Sequence, residues 1–248
     1  MGTVFVFQIQ DQIPDAELQR QCEVALEVLI EADEVFSLYK PNSEISKLVR
    51  GELEWNRASA VQRSIRDQAE AWKQRTSGFF DPRTGANYDP SGLVKGWAAQ
   101  NAAQYLEANG IRDFTLNAGG DIYLAEGLTK SVLTRVGLSN LQPISSQQAG
   151  VNMVLELFGS GFRAVATSGI SERGEHIWRA WEEKQLQQVS VIGKDLVTAD
   201  IWATALISGG QKAWDVMRAE AAEVIALGVF KDGSIISTPG FTSLLASN

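Results

Sequence analysis

Val4, Phe5, Val6, Phe7 and Ile9 make residues 3–10 read as a strand. From residue 15 the period changes. Leu18, Cys22, Ala25, Leu26, Leu29 and Ile30 recur at steps of three and four, the signature of one helical face, with Asp15 expected as its cap. Residues 38–42 form a polar, proline-containing turn before a short helix over 43–49. A further helix over 61–76 places Val61, Ile65, Ala69 and Trp72 on one face. The next predicted helix, 95–109, ends at Gly110, a residue suited to a left-handed cap. Strand-like pieces follow at 114–116, 122–124, 132–138, 151–158, 163–166 and 188–192, with a polar loop at 142–150. Helices are expected at 199–208 and 213–220. A hairpin of 223–230 and 234–237 closes around Lys231-Asp232-Gly233. Helices and strands mix without regular βαβ alternation, and no linker or internal repeat interrupts them. The expectation is an α+β fold: one compact domain over residues 1–248, with mixed or antiparallel sheets flanked by helices.

Composition narrows the chemistry. Of 248 residues, 44% are hydrophobic and 21% charged, the balance of an ordinary globular domain. A net charge of −8 argues against broad nucleic-acid binding. No apolar run approaches the roughly 20 residues that span a bilayer, so membrane insertion is not expected. With Met1 taken as the native start, no basic leader or cleavage site is visible and the expected location is cytoplasmic. The chain has a single cysteine, Cys22, and a single histidine, His176. That scarcity excludes an internal disulfide, a CxxC site, HExxH and the paired-histidine metal centres. Any metal must be held mostly by oxygen, which points to magnesium or calcium.

Four islands combine glycine, acid and hydroxyl residues. Ser77-Gly78-Phe79-Phe80-Asp81-Pro82-Arg83-Thr84-Gly85 reads as a turn with an acid at its centre. Tyr88-Asp89-Pro90-Ser91-Gly92-Leu93-Val94-Lys95-Gly96 runs into a helix. There, free backbone N–H groups, a positive dipole end and the Lys95 ammonium suit a phosphate, although the GKS/T ending of a Walker loop is absent. Asn117-Ala118-Gly119-Gly120-Asp121 reads as a tight turn carrying an acid. The hydroxyls of Ala166-Thr167-Ser168-Gly169 either cap a turn or meet a ligand. In Ala199-Asp200-Ile201-Trp202-Ala203-Thr204, Asp200 and Thr204 stand four residues apart on one helical face, where a carboxylate and a hydroxyl suit a hard cation. An acid favouring the helix dipole and a self-bonded threonine would give the same spacing.

In this order the islands resemble the FAD:protein FMN transferases, the ApbE family of flavin transferases, over nearly the whole chain. Met1-Gly2-Thr3 resembles the family's opening MGT, and residues 37–46 (SLYKPNSEIS) its S-x-Y-x-x-x-S-x-[IL]-S signature. Phe79-Phe80-Asp81-Pro82 is similar to its A-F-D-P loop, and residues 89–96 to its D-x-x-G-x-x-K-G segment. Asn117 to Asp121, Ala166 to Gly169 and Ala199 to Thr204 are similar to its N-x-G-G-D, A-T-S-G and A-D-x-x-A-T motifs. The resemblance implies an FAD site in a central cleft and Mg2+ as cofactor. The implied reaction moves the FMN moiety of FAD onto a threonine hydroxyl of a separate acceptor protein, releasing AMP.

It further implies that the carbonyl of Gly92, with Asp200 and Thr204, holds the magnesium. Met1, Tyr39, Phe79, Phe80, Asp81, Asp89, Lys95, Asp121 and Ile177 would line the FAD site. The general base stays open among Asp121, His176 and a metal-bound group. The sequence departs from the family after His176-Ile177: most members continue D-P-x-[TS]-G, whereas this chain has Trp178-Arg179-Ala180-Trp181-Glu182. A magnesium-dependent FAD pyrophosphatase yielding FMN and AMP, and a non-catalytic FAD-binding protein, are the alternatives that this departure raises.

Overall fold

The computed structural model of the chain describes residues 2–84, 87–139, 151–169 and 186–247. Its centre is a seven-stranded antiparallel sheet. In chain order the strands are β1 (Phe5–Ile9), β4 (Phe114–Ala118), β5 (Asp121–Leu124), β8 (Ala164–Gly169), β9 (Leu186–Gly193), β10 (Ile225–Phe230) and β11 (Ile235–Ser237). They lie side by side in that same order. Two two-stranded pieces accompany the sheet: β2 (Arg83–Thr84) with β3 (Asn87–Tyr88), and β6 (Arg135–Ser139) with β7 (Val151–Glu156). The α+β expectation therefore holds.

Alternation along each strand assigns two faces. Phe114, Leu116, Ala118, Tyr123, Ala164, Ala166, Val189 and Val191 point into one apolar core. The helices α1 (Asp15–Phe36), α3 (Ala60–Arg75), α4 (Ser91–Ala108) and α5 (Leu196–Glu220) complete this core. The opposite face contributes Leu124, Val165, Ile192, Leu227 and Val229 to a smaller core. It is closed by Val136, Leu138 and Leu155 of the β6–β7 pair and by Phe241 and Leu244 of a 3₁₀ turn.

The hydrophobic pattern locates the helices better than it does their ends. The α3 face is as expected, with Ile65 and Ala69 fully buried and Val61 and Trp72 packed beside them. The short helix α2 (Glu44–Val49) is capped by Ser43, whose Oγ accepts from Ser46 N at 3.1 Å. On α1 the buried stripe is Gln21, Ala25, Leu29, Ala32 and Phe36, while Leu26 and Ile30 face outward. Gln21 is buried because the Tyr105 hydroxyl of α4 donates to its Oε1 at 2.9 Å.

Asp15 does not cap α1. Pro14 occupies that position, with φ already in the helical range, and its carbonyl accepts from Glu17 and Leu18. Residues 132–134 form a 3₁₀ turn, with Thr134 Oγ1 donating to Ser131 O, so β6 starts three residues later than the apolar run suggests. The two helices expected near the C-terminus are present as the two arms of α5, which meet at a kink at Gly210 (φ 54, ψ −133), a conformation that L side chains avoid. The predicted loop 142–150 lies outside the described residues.

Candidate active site

The site forms where two helices cross over one end of the sheet. α4 begins at Ser91, four residues before the helix expected from sequence. Pro90 presets its entry, and Asp89 Oδ1 accepts from Ser91 N at 2.9 Å. Gly92 therefore lies in the first turn, and Lys95 one turn further into the helix rather than at its mouth.

Gly96 explains how α4 approaches α5. A Cβ there would stand 3.3 Å from the Leu196 carbonyl and 3.4 Å from Asp200 Cβ and Oδ2, a tight fit that would press on α5, so glycine eases the close approach of the two helices. Gly92 is on the same face as Gly96, one turn earlier. Asp200 and Thr204 follow one another by one turn along α5.

Asp121 is supplied by the sheet. Gly119 (φ 63) and Gly120 (φ 100) make the two-residue turn between β4 and β5, closed by Asn117 Oδ1 accepting from Gly120 N at 2.8 Å. Asp121 is not in that turn. It is the first residue of β5, paired with Ala118, and fully buried. Ala166-Thr167-Ser168-Gly169 is likewise no turn but the last four residues of β8. Thr167 N donates to Asp121 Oδ1 at 3.0 Å, and the Thr167 hydroxyl is paired with Ser190 on the other face of the sheet. Ser168, on the Asp121 face, is 3% exposed and has no hydrogen-bond partner among the described residues.

Lys95 Nζ is ion-paired with Asp121 and lies 3.5 Å from Asp200 Oδ2. One ammonium thus faces two buried carboxylates. Burial, and then the neighbouring Asp200 charge, push the Asp121 carboxyl up to about 6, against the opposing pull of Lys95 and the Thr167 N–H. Both Asp200 oxygens and Thr204 Oγ1 are buried and make no hydrogen bond among the described residues, although Asp200 Oδ2 faces the Lys95 ammonium at 3.5 Å. Buried acceptors are ordinarily satisfied, so three open ones on consecutive turns of one helix mark a place for a missing donor or cation. Among the described residues no group of three or more carboxylates, imidazoles or thiols could hold an ion. A cation held here needs hydroxyl and carbonyl oxygens beside Asp200, and a hard divalent ion accepts that donor set.

The aromatic island sits against both helices. Thr76 Oγ1 accepts from Phe80 N at 3.0 Å after two left-handed residues, Ser77 (φ 52) and Gly78 (φ 83). Phe80 is buried, with its ring beside Gly92, and Phe79 is half-buried against Gly209 of α5. Asp81 pairs with Lys73 at 2.8 Å and accepts from Arg83 N at 2.9 Å. Tyr39 is 87% exposed beyond the end of α1. Gly2 and Thr3 precede β1, and the Thr3 hydroxyl packs on Gly119 beside the Asp121 turn.

Met1, His176 and Ile177, and with them Trp178, Arg179 and Trp181, lie outside the described residues. Gly169 and Leu186, which flank residues 170–185, stand at the same end of the sheet as Asp121. Sequence reasoning assigned no role to Ser168 or Gly96, although both fall inside islands, and missed Gly209. Nothing local distinguishes Gly209 from a packing residue.

These features define an α+β domain with a buried lysine–carboxylate centre and an open oxygen set between two helices. A family model described as the ApbE family matches residues 83–227, which hold that centre, and the chain belongs to this family. A curated relative, the FAD:protein FMN transferase of Vibrio cholerae serotype O1, is 29% identical over 159 residues. That match takes in 58% of this chain and 46% of the relative, so it spans less than half of the relative's length. Among solved structures, the flavin transferase ApbE from Vibrio cholerae superposes with a TM-score of 0.75 at 20% identity, covering 99% of this chain and 96% of that one. The apo flavinyl transferase ApbE of Pseudomonas stutzeri gives 0.73 at 18%, over 99% and 97%. The ApbE protein of Thermotoga maritima gives 0.76 at 18%, over 99% and 100%. At these identities the likeness establishes the fold.

Proposed function

We propose that this chain transfers the FMN moiety of FAD to a threonine hydroxyl of a separate acceptor protein, with magnesium, releasing AMP. The observation that carries the reading is the set of three open, buried oxygens of Asp200 and Thr204 beside the Lys95 ammonium, in a chain of the ApbE family.

The donor set fits magnesium. Asp200 supplies the one formal charge, Thr204 a hydroxyl, and the first turn of α4 the Gly92 carbonyl. A cation bound there offsets negative charge on the pyrophosphate of FAD. Lys95 stands within reach of the same charge, and Asp121 holds it in place. In the reaction the threonine oxygen forms a bond to the FMN phosphorus, the pyrophosphate P–O bond breaks, and AMP leaves with that oxygen. The hydroxyl proton passes to a base. Asp121 suits this, because burial raises its proton affinity towards neutrality. His176 is the second candidate. Phe79, Phe80, Asp81, Asp89 and Tyr39, with Met1 and Ile177, are proposed to hold the flavin nucleotide.

The test mixes the protein with FAD, magnesium and a threonine-containing acceptor domain. Flavin fluorescence that stays with the acceptor after denaturation is the expected result. AMP release without labelling would replace transfer by FAD hydrolysis, and absence of both products would leave a binding protein.

A further inference from the structure

Phe79 and Phe80 land on two glycines, one from each helix of the candidate cation site. The Phe80 ring stands 3.2 Å from where a Cβ on Gly92 of α4 would be. The Phe79 ring overlies Gly209 of α5 far more tightly. A Cβ there would fall 2.2 Å from Phe79 Cδ1 and 2.6 Å from Cγ and Cε1, inside the ring's own volume.

Gly209 has no left-handed backbone of its own to require glycine, since the helix breaks one residue later at Gly210. Its own φ suits any residue, so what a side chain there would meet is the ring above it. Phe79 is delivered there by a constrained loop: two left-handed residues precede it and the Thr76 hydroxyl fixes the next backbone N–H. One side of the half-buried ring rests on α5 and leaves part of the ring exposed.

We propose that Gly209 is a positioning residue that seats Phe79 as a wall of the flavin site, which rests on the reading of Phe79 as an FAD contact. Gly209 touches no ligand and acts only through the ring. Its consequence is that α5, which carries Asp200 and Thr204, also sets the height of the flavin wall.

The experiment compares Gly209→Ala, Phe79→Ala and the double variant in full-length protein, by FAD affinity from flavin fluorescence quenching and by thermal melting. Gly209→Ala is expected to weaken FAD binding at least tenfold while leaving magnesium affinity, measured calorimetrically, within twofold. The double variant should bind FAD no more weakly than Phe79→Ala and should recover the melting temperature lost in Gly209→Ala, because the overlap is gone. Wild-type FAD affinity in Gly209→Ala, with affinity lost in Phe79→Ala, overturns the positioning role alone. Unchanged affinity in Phe79→Ala overturns the flavin-wall reading and the proposal with it. If Gly209→Ala does not fold, the double variant decides: a folded double supports the contact, and an unfolded one refutes it.

Discussion

Two polar clusters hang on the same three elements, one half-buried and one buried, one at each end. At the far end, Arg163 just before β8 meets Glu107 near the end of α4 and Tyr123 of β5. Arg163 pairs with Glu107, donates to the Tyr123 hydroxyl at 2.6 Å and to the Leu124 carbonyl at 3.2 Å, and lies 5.1 Å over the Tyr123 ring. Glu107 in turn accepts from the Tyr123 hydroxyl at 3.0 Å and from Glu126 N at 2.7 Å. At the near end, Lys95 of α4, Asp121 of β5 and Ser168 of β8 are joined by Asp200 and Thr204 of α5. There one cation faces two acids and several acceptors stand open. The first cluster is closed and electrically balanced; the second lacks a positive charge. A closed network specifies a fold, whereas an incomplete one costs stability until something binds.

The largest expected effect comes from removing the carboxylate at the open end. Asp200→Ala should weaken magnesium affinity and flavin transfer by at least about a hundredfold. Its thermal stability without metal should equal or exceed that of the parent, because only one of the two buried carboxylates that share the Lys95 ammonium then remains. Calorimetric magnesium titration and melting curves check both halves. A variant that melts lower and still binds magnesium would make the two ends equivalent. Arg163→Leu should do the reverse. It removes the cation beside Glu107, which keeps its bonds from Tyr123 and Glu126, and should cost about 1.5–3 kcal/mol of unfolding free energy in denaturant titration, with magnesium affinity unchanged.

Lys95→Met sharpens the contrast. It leaves Asp121 and Asp200 facing each other with no cation. The metal-free protein should lose on the order of 2–4 kcal/mol, and added magnesium should raise its melting temperature by more than it does in the parent. Equal magnesium-induced shifts would mean that Lys95 does not stand in for the metal's charge.

The closed end and the open end were unequally legible in the sequence. Asp200, Thr204, Gly92, Lys95 and Asp121 announce themselves because acid, hydroxyl and glycine cluster where packing does not need them, and the family resemblance then assigns them to one site. The sequence sets Lys95 at a helix mouth because Ser91-Gly92 gives weak helical signals, whereas Pro90 and the Asp89 bond start the helix four residues earlier. Glu107, Tyr123 and Arg163 gave no sign, since a buried network of long side chains depends on three distant segments meeting. Gly209 was silent for the same reason: it is defined by what lies above it, which no local period records, whereas Gly96 is marked by the motif over residues 89–96 but not by its contact with α5.

The pH dependence of stability separates the ends more gently. Asp121 titrates at about 6 in the folded chain against an ordinary value of 3.8. Between these values the folded state holds a proton that the unfolded state has lost, so stability falls as pH rises from about 4 to about 6 and then levels. The loss is at most about 3 kcal/mol for a shift of this size. Asp121→Asn should flatten that limb in metal-free protein. An unchanged limb would move the titration to another group.

The smallest effect on stability is expected at Ser168, and its sign is informative. A serine that is 3% exposed, with no partner for its hydroxyl, contributes desolvation cost and little else to the ligand-free fold. Ser168→Ala should therefore be neutral or more stable by up to about 1 kcal/mol. Counting rise per residue from the ends that meet at Gly193 and Leu196, Thr204 lies about 12 Å along α5 and Ser168 about 13 Å along β8 from Ala164, which brings the two hydroxyls to a similar level. If that open end is built for a ligand, the same substitution should weaken FAD or magnesium binding a few-fold while the fold gains. Binding and stability moving in opposite directions is not expected of the closed cluster, where Arg163, Glu107 and Tyr123 satisfy one another. Stability lost in Ser168→Ala, with binding untouched, would place Ser168 with the structural residues and shrink the open end to Asp200 and Thr204.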